Sequence, residues 1–176
     1  MVTVLANGAA GNDMVTEKNA DYAVFVDVLK QLSVRLCREL AADGEGATKL
    51  LECRVTGAAS VKDAKLAAKS VASSSLLKSA MFGADANWGR ILCALGYAGV
   101  EFDPHKVDVS FISDAGEINV CKNGGSVGFD EDKAKEILLK DAIVIDVNMN
   151  MGTACATAYG CDLTYEYVRI NGDYRS

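Results

Sequence analysis

Between Ala20 and Ala41 the apolar residues recur three and four positions apart. Phe25, Val28, Leu29, Leu32, Leu36 and Leu40 fall on one face, which predicts a long amphipathic helix with that stripe buried. Asn19 is placed to cap it and Asp43-Gly44 to stop it. The period then changes to two. Leu51, Cys53 and Val55 alternate with Glu52, Arg54 and Thr56, the pattern of a half-buried strand. Helical spacing returns over about Ser60 to Ser73, Ser75 to Phe82 and Trp88 to Tyr97, with Asp85 as the candidate cap of the third segment. After Pro104 the alternation resumes at Val107, Val109 and Phe111 and again at Ile118 and Val120. Ser113-Asp114-Ala115-Gly116 between them predicts a hairpin. Asp130 to Leu139 reads as a helix with Ala134, Ile137 and Leu138 inward. Ile143 to Asn148 and Gly152 to Tyr159 read as a strand pair, and Asp162 as the cap of a last short helix with Glu166 in its first turn. At the front, Val2 to Leu5 reads as a short strand before a glycine-rich loop, Asn7 to Asp13.

This order, with no internal repeat and no low-complexity stretch, predicts an α+β (mixed α/β) chain with a partly antiparallel sheet packed with helices, not a doubly wound one. Composition agrees. Half of the 176 residues are hydrophobic and there is a single proline against 16 glycines, as expected of one domain, or slightly more, with a real core. Net charge is −6 with no cluster of basic residues, which argues against nucleic acid and membrane surfaces as partners. The most apolar run, Ala142 to Val147, is far too short to span a bilayer, and Met1 to Ala6 lacks the basic start of a signal peptide. The six cysteines form no C-x-x-C pair and His105 is the sole histidine, so no metal site is expected. The cysteines read mostly as small buried hydrophobes of a reducing cytosol, and His105 as a surface residue. No Ser-His or Cys-His spacing supports a nucleophile within the chain.

The chemistry concentrates in Asp43-Gly44-Glu45-Gly46-Ala47-Thr48-Lys49, between the long helix and the first strand. A phosphate loop has the opposite order, strand then helix, and no acid inside it. Glycines that permit φ > 0, one carboxylate and a nearby ammonium suit a zwitterionic small molecule better. The bland alternative is a tight turn whose glycines serve only sterics. Two further stretches stand out: Asn87-Trp88-Gly89-Arg90, and an aromatic C-terminal run, Ile170 to Ser176, that directly follows a helix instead of fraying.

LANGAAGND at 5–13, DGEGATK at 43–49, NWGR at 87–90, YGCDLT at 159–164 and INGDYRS at 170–176 together resemble the C-terminal part of the ornithine acetyltransferase family, the glutamate N-acetyltransferases of arginine biosynthesis. The match runs through the whole chain in the family's order. It implies a precursor that cleaves itself before a threonine into an α and a β chain, associating as two of each in the cytoplasm. Acetyl passes from N-acetylornithine to that threonine and then to glutamate, without a metal or organic cofactor; acetyl-CoA is a second donor only in bifunctional members. The family's substrate-contacting residues fall on Glu45, Asn171 and Ser176. Ser176 stands where the family usually ends in threonine, and Tyr159 where tryptophan is frequent. Thr3 and Thr16 do not match the cleavage motif. The nucleophile and the oxyanion donors are therefore expected upstream, with none of the catalytic residues in this chain, which alone is expected to be inactive. Residues 1–50 are expected to be a remnant of the N-terminal-nucleophile sandwich and residues 51–176 a C-terminal domain. Two other readings stay open: a related N-terminal-nucleophile aminopeptidase or amidase, and a catalytically silent interaction fragment.

Overall fold

The computed structural model describes residues 3–173. They divide into two compact units, one ending at Leu36 and the next beginning at Cys37. The first unit holds the loop and most of helix α1 (Ala20–Ala42). The Asn19 side chain accepts the Tyr22 N–H at 3.0 Å, so the predicted cap is present. No strand forms over residues 3–5, and Val2 lies outside the described residues. The predicted burial of the α1 stripe also does not hold. Phe25 is 56% and Leu40 75% exposed, and α1 buries no residue at all.

The second unit is a six-stranded mixed sheet with helices on one face. In chain order it contains β1 (Leu50–Ala58), α2 (Val61–Ser73), α3 (Ser75–Phe82), α4 (Trp88–Gly96), β2 (Asp108–Ser113), β3 (Gly116–Lys122), β4 (Gly125–Ser126), α5 (Glu131–Leu138), β5 (Ala142–Asn148), β6 (Ala154–Cys161) and α6 (Tyr165–Asp173). The strand order is β4-β3-β2-β5-β1-β6. Only β1 and β5 run parallel, with Leu51, Cys53 and Val55 beside Ile143, Ile145 and Val147. Equal parity along the two strands therefore puts all six side chains on the helical face, where every one is buried. Helix α2 covers β1 and β6, and α5 covers β2 and β3.

The predicted pairing of β5 with β6 is corrected. Each pairs with β1, which lies between them. Ser60 caps α2 and Asn87, not Asp85, caps α4, accepting the Arg90 N–H at 3.3 Å. His105 is exposed, as expected. Cys53 and Cys121 are buried but Cys37, Cys93 and Cys155 are not. Alternation along β6 turns Cys155 away from the helices, and α4 buries Ile91, Ala94 and Leu95 while Cys93 faces out.

On the other face of the sheet the polar half of the alternation forms an ion-pair chain. Arg38 pairs with Glu52, and Arg54 reaches Glu52 at 3.4 Å and Asp146 at 3.7 Å. Arg38 also lies over the Tyr159 ring, 5.7 Å from its centroid. A shallow cleft of about 210 Å³ opens beside it, floored by Leu50, Ile112 and Val144.

Candidate functional site

The Gly44–Lys49 segment closes α1 and feeds β1, so it lies at one end of the sheet. Gly46 takes φ +66°, and a Cβ there would stand 2.8 Å from the Tyr167 backbone nitrogen. Only glycine lets the turn approach the first turn of α6 this closely. The glycine thus serves contact with the chain itself, and Glu45 is carried out at the exposed tip of the turn.

Two of the three predicted site residues meet there. Asn171 Nδ2 donates to Glu45 Oε2 at 2.6 Å across 126 positions of sequence, and also to the Tyr167 carbonyl at 3.0 Å, one turn back along α6. Both amide protons are spent. What the pair still offers is the Asn171 carbonyl oxygen and the carboxylate of Glu45, all acceptors. Such a set favours an ammonium and repels a carboxylate. Ser176, the third predicted residue, lies outside the described residues.

Lys49 and Arg90, the basic residues of the loop and of the Asn87–Arg90 stretch singled out in the sequence, are engaged elsewhere. Lys49 is only 8% exposed, and its ammonium donates to the carbonyls of Met81 at 2.6 Å and Phe82 at 3.4 Å, at the end of α3. Burial holds its pKa below the ordinary value against the upward pull of Asp162 and Asp141. It is a strut under the loop. Arg90 Nη1 donates to the Leu76 carbonyl at 2.6 Å and ties α4 to α3.

Sequence reasoning missed the residues that anchor the loop. Asp162 does not cap α6. Its Oδ1 accepts the Thr48 and Lys49 N–H groups at 2.8 and 3.0 Å, and its Oδ2 accepts the Thr48 hydroxyl at 2.5 Å. Thr164 takes the helix-start role, accepting the Tyr167 N–H at 3.2 Å. A signal was present: Asp162 and Thr164 lie two apart, so an extended chain presents both to the same side. Among the described residues no cluster of His, Cys, Asp or Glu could hold a metal ion.

A model of the ArgJ family matches residues 1–176. The arginine biosynthesis bifunctional protein ArgJ 1 of Clostridium acetobutylicum is 54% identical over 176 residues, covering all of this chain and 43% of that protein. The arginine biosynthesis bifunctional protein ArgJ of Symbiobacterium thermophilum is 49% identical over the same span, again 43% of its length. The crystal structure of the protein of that name from Bacillus halodurans matches with a TM-score of 0.92 at 43% identity, over 99% of this chain and 80% of that one. The chain therefore spans little more than two fifths of the curated relatives it matches.

Proposed function

The chain belongs to the ArgJ family along its whole length, and we propose that it is the C-terminal part of the β chain of an ornithine acetyltransferase. In this reading a threonine hydroxyl outside the chain attacks the acetyl carbonyl of N2-acetyl-L-ornithine. The C–N bond breaks, the proton goes to the leaving amine, and ornithine departs from an acetyl-threonine ester. The α-amine of glutamate then attacks that ester and regenerates the hydroxyl, a ping-pong acyl transfer. The relatives' description as bifunctional makes acetyl-CoA a second donor in the same proposal. A solved relative covered to 80%, beside full sequences covered to 43%, implies that the crystallised chain is about half as long as those sequences. That supports a two-chain enzyme, proposed here as two α and two β chains. Among the described residues no helix is long and apolar enough to cross a membrane, and we place the enzyme in the cytoplasm with the rest of amino-acid biosynthesis.

The observation that carries this reading is the 2.6 Å contact between Glu45 and Asn171. The α-nitrogen of N2-acetylornithine is acylated, so the one ammonium that this donor keeps is on its side chain, and a pocket that takes it needs acceptors there. Glu45 and Asn171 make such a set, and an amidase acting on an uncharged amide has no use for it. The test is Glu45→Gln in an enzyme reassembled from this chain and the N-terminal part of the Clostridium acetobutylicum protein. Removing the charge while keeping the shape should cost about 1.5–3 kcal/mol, or roughly 10- to 150-fold in kcat/KM for N-acetylornithine. An unchanged kcat/KM for both substrates would make Glu45 a turn residue. The isolated chain should transfer no acetyl.

A further inference from the structure

Glu45 and Asn171 sit on different elements, a glycine turn and a helix, and their acceptors converge only if those elements are held in register. The segment between β6 and α6 does this holding with two buried side chains. The Thr164 hydroxyl, in a residue 5% exposed, donates to the Gly46 carbonyl at 2.6 Å and accepts the Tyr167 N–H at 3.2 Å. One oxygen atom thus joins the residue after Glu45 to the first turn of the helix that carries Asn171. Asp162, 3% exposed, grips the loop on its other side through both N–H groups and the hydroxyl of Thr48-Lys49, and its own N–H returns to the Lys49 carbonyl at 3.3 Å. A carboxylate so removed from water is costly unless donors surround it, and the three donors here all come from the loop. Lys49, pinned to the end of α3, supplies the nearby positive charge.

We propose that Thr164 and Asp162 are positioning residues for the Glu45–Asn171 pair: Thr164 sets the separation of loop and helix, and Asp162 sets the seat of the loop against the end of β6. The inference rests on the reading of that pair as the ammonium site. Binding an ammonium with converging acceptors needs separations near 2.7–3.2 Å, so a displacement of about 1 Å in either element defeats it.

The experiment uses the reassembled enzyme. Thr164→Val keeps the branched shape and removes the hydroxyl, and Thr164→Ser restores it. Thr164→Val should lower kcat/KM for N-acetylornithine about tenfold, mostly through KM, as expected for loss of one site-holding hydrogen bond. Thr164→Ser should recover most of it. On a Glu45→Gln background the same Thr164→Val change should cost less than about twofold, because a residue acting through the pair has nothing left to position. Thr48→Val, at an exposed residue whose hydroxyl partners Asp162, runs the same cycle if Thr164→Val does not accumulate as folded protein. An equal loss on both backgrounds, with Glu45→Gln itself damaging, overturns the positioning role and leaves the proposed function standing. An inert Glu45→Gln overturns both. A lowered melting temperature with unchanged KM reduces Thr164 and Asp162 to structural residues and overturns the inference.

Discussion

Helices α1 and α2 carry the same apolar period and meet opposite environments. Helix α2 buries Ala64, Ala67, Ala68, Val71 and Ala72 against β1 and β6. Helix α1 has the larger stripe, of leucines, valines and a phenylalanine, and buries none of it. The difference shows what periodicity reports. It marks the face that a helix is built to cover, and says nothing of where the cover comes from. For α2 the cover is the sheet that flanks it in sequence, and small side chains let the helix lie close. For α1 it is not among the described residues. An uncovered stripe of this size is uncommon on a self-sufficient protein and typical of a contact face. The relatives are more than twice as long as this chain.

The sharpest way to break this comparison is to cut the same side chain from both regions. Phe111 is fully buried between the sheet and its helices, and Phe25 is 56% exposed on α1. In denaturant unfolding of the isolated chain, Phe111→Ala should cost about 3–5 kcal/mol. Phe25→Ala should stay within about 0.5 kcal/mol. Adding the N-terminal part of the Clostridium acetobutylicum protein should leave the first value alone and raise the second above about 1 kcal/mol, as for a residue in an interface core. Equal costs in the isolated chain would mean that α1 is covered after all.

An intermediate effect belongs to the glycine turn, which differs from both helices in being held by hydrogen bonds more than by apolar contact. Gly46→Ala would place a methyl 2.8 Å from the Tyr167 nitrogen at φ +66°. Neither the backbone conformation nor the helix start can absorb it cheaply, so about 1–3 kcal/mol of stability should be lost. The loop should also move off α6, breaking the Thr164–Gly46 bond and parting Glu45 from Asn171. Activity of the reassembled enzyme should then fall further than Glu45→Gln alone lowers it. A fully active, normally stable variant would show that the turn is slack.

These two regions also show what was legible in the residues alone. Helices α2 to α5 were readable because helical spacing is local, and β1 and the β2–β3 hairpin because alternation is; α6 runs on through Ile170 to Asp173, which had read as a segment following the helix. The neighbours of β5 and β6 were not. β1 comes between them by a parallel crossover from far upstream, and no local pattern encodes that. The family resemblance singled out Glu45 and Asn171 but not their hydrogen bond to each other, since 126 intervening positions leave nothing for spacing to report. Asp162 was misread because an acid before a helix looks like a cap, and only tertiary contact turns it toward Thr48.

The smallest expected effect belongs to the buried thiol of β1 in alkali. Cys53 in β1 is fully buried, and burial, helped by Glu52, pushes its pKa to about 12, whereas Cys37 on α1 is exposed. The unfolded chain releases the Cys53 proton near 9.0, and the folded chain holds it to about 12. Folding is thus favoured fully below pH 9 and progressively less above it, by roughly 1 kcal/mol from pH 9 to 10. Cys121, raised by burial and by Asp108, acts in the same direction. Lys49 acts oppositely. Its folded pKa lies below 10.5, so folding penalises its charged form, and that penalty is relieved as pH rises toward 10.5. The two slopes partly cancel in the native sequence. Cys53→Ala should remove its share of the falling component, so that stability measured by denaturant from pH 8 to 10.5 falls less or rises. Adding Lys49→Met to Cys53→Ala should remove the rising component in turn. If Cys53→Ala leaves the alkaline profile of the native chain intact, the β1 thiol does not carry the difference between the two regions, and its burial has no thermodynamic consequence in that range.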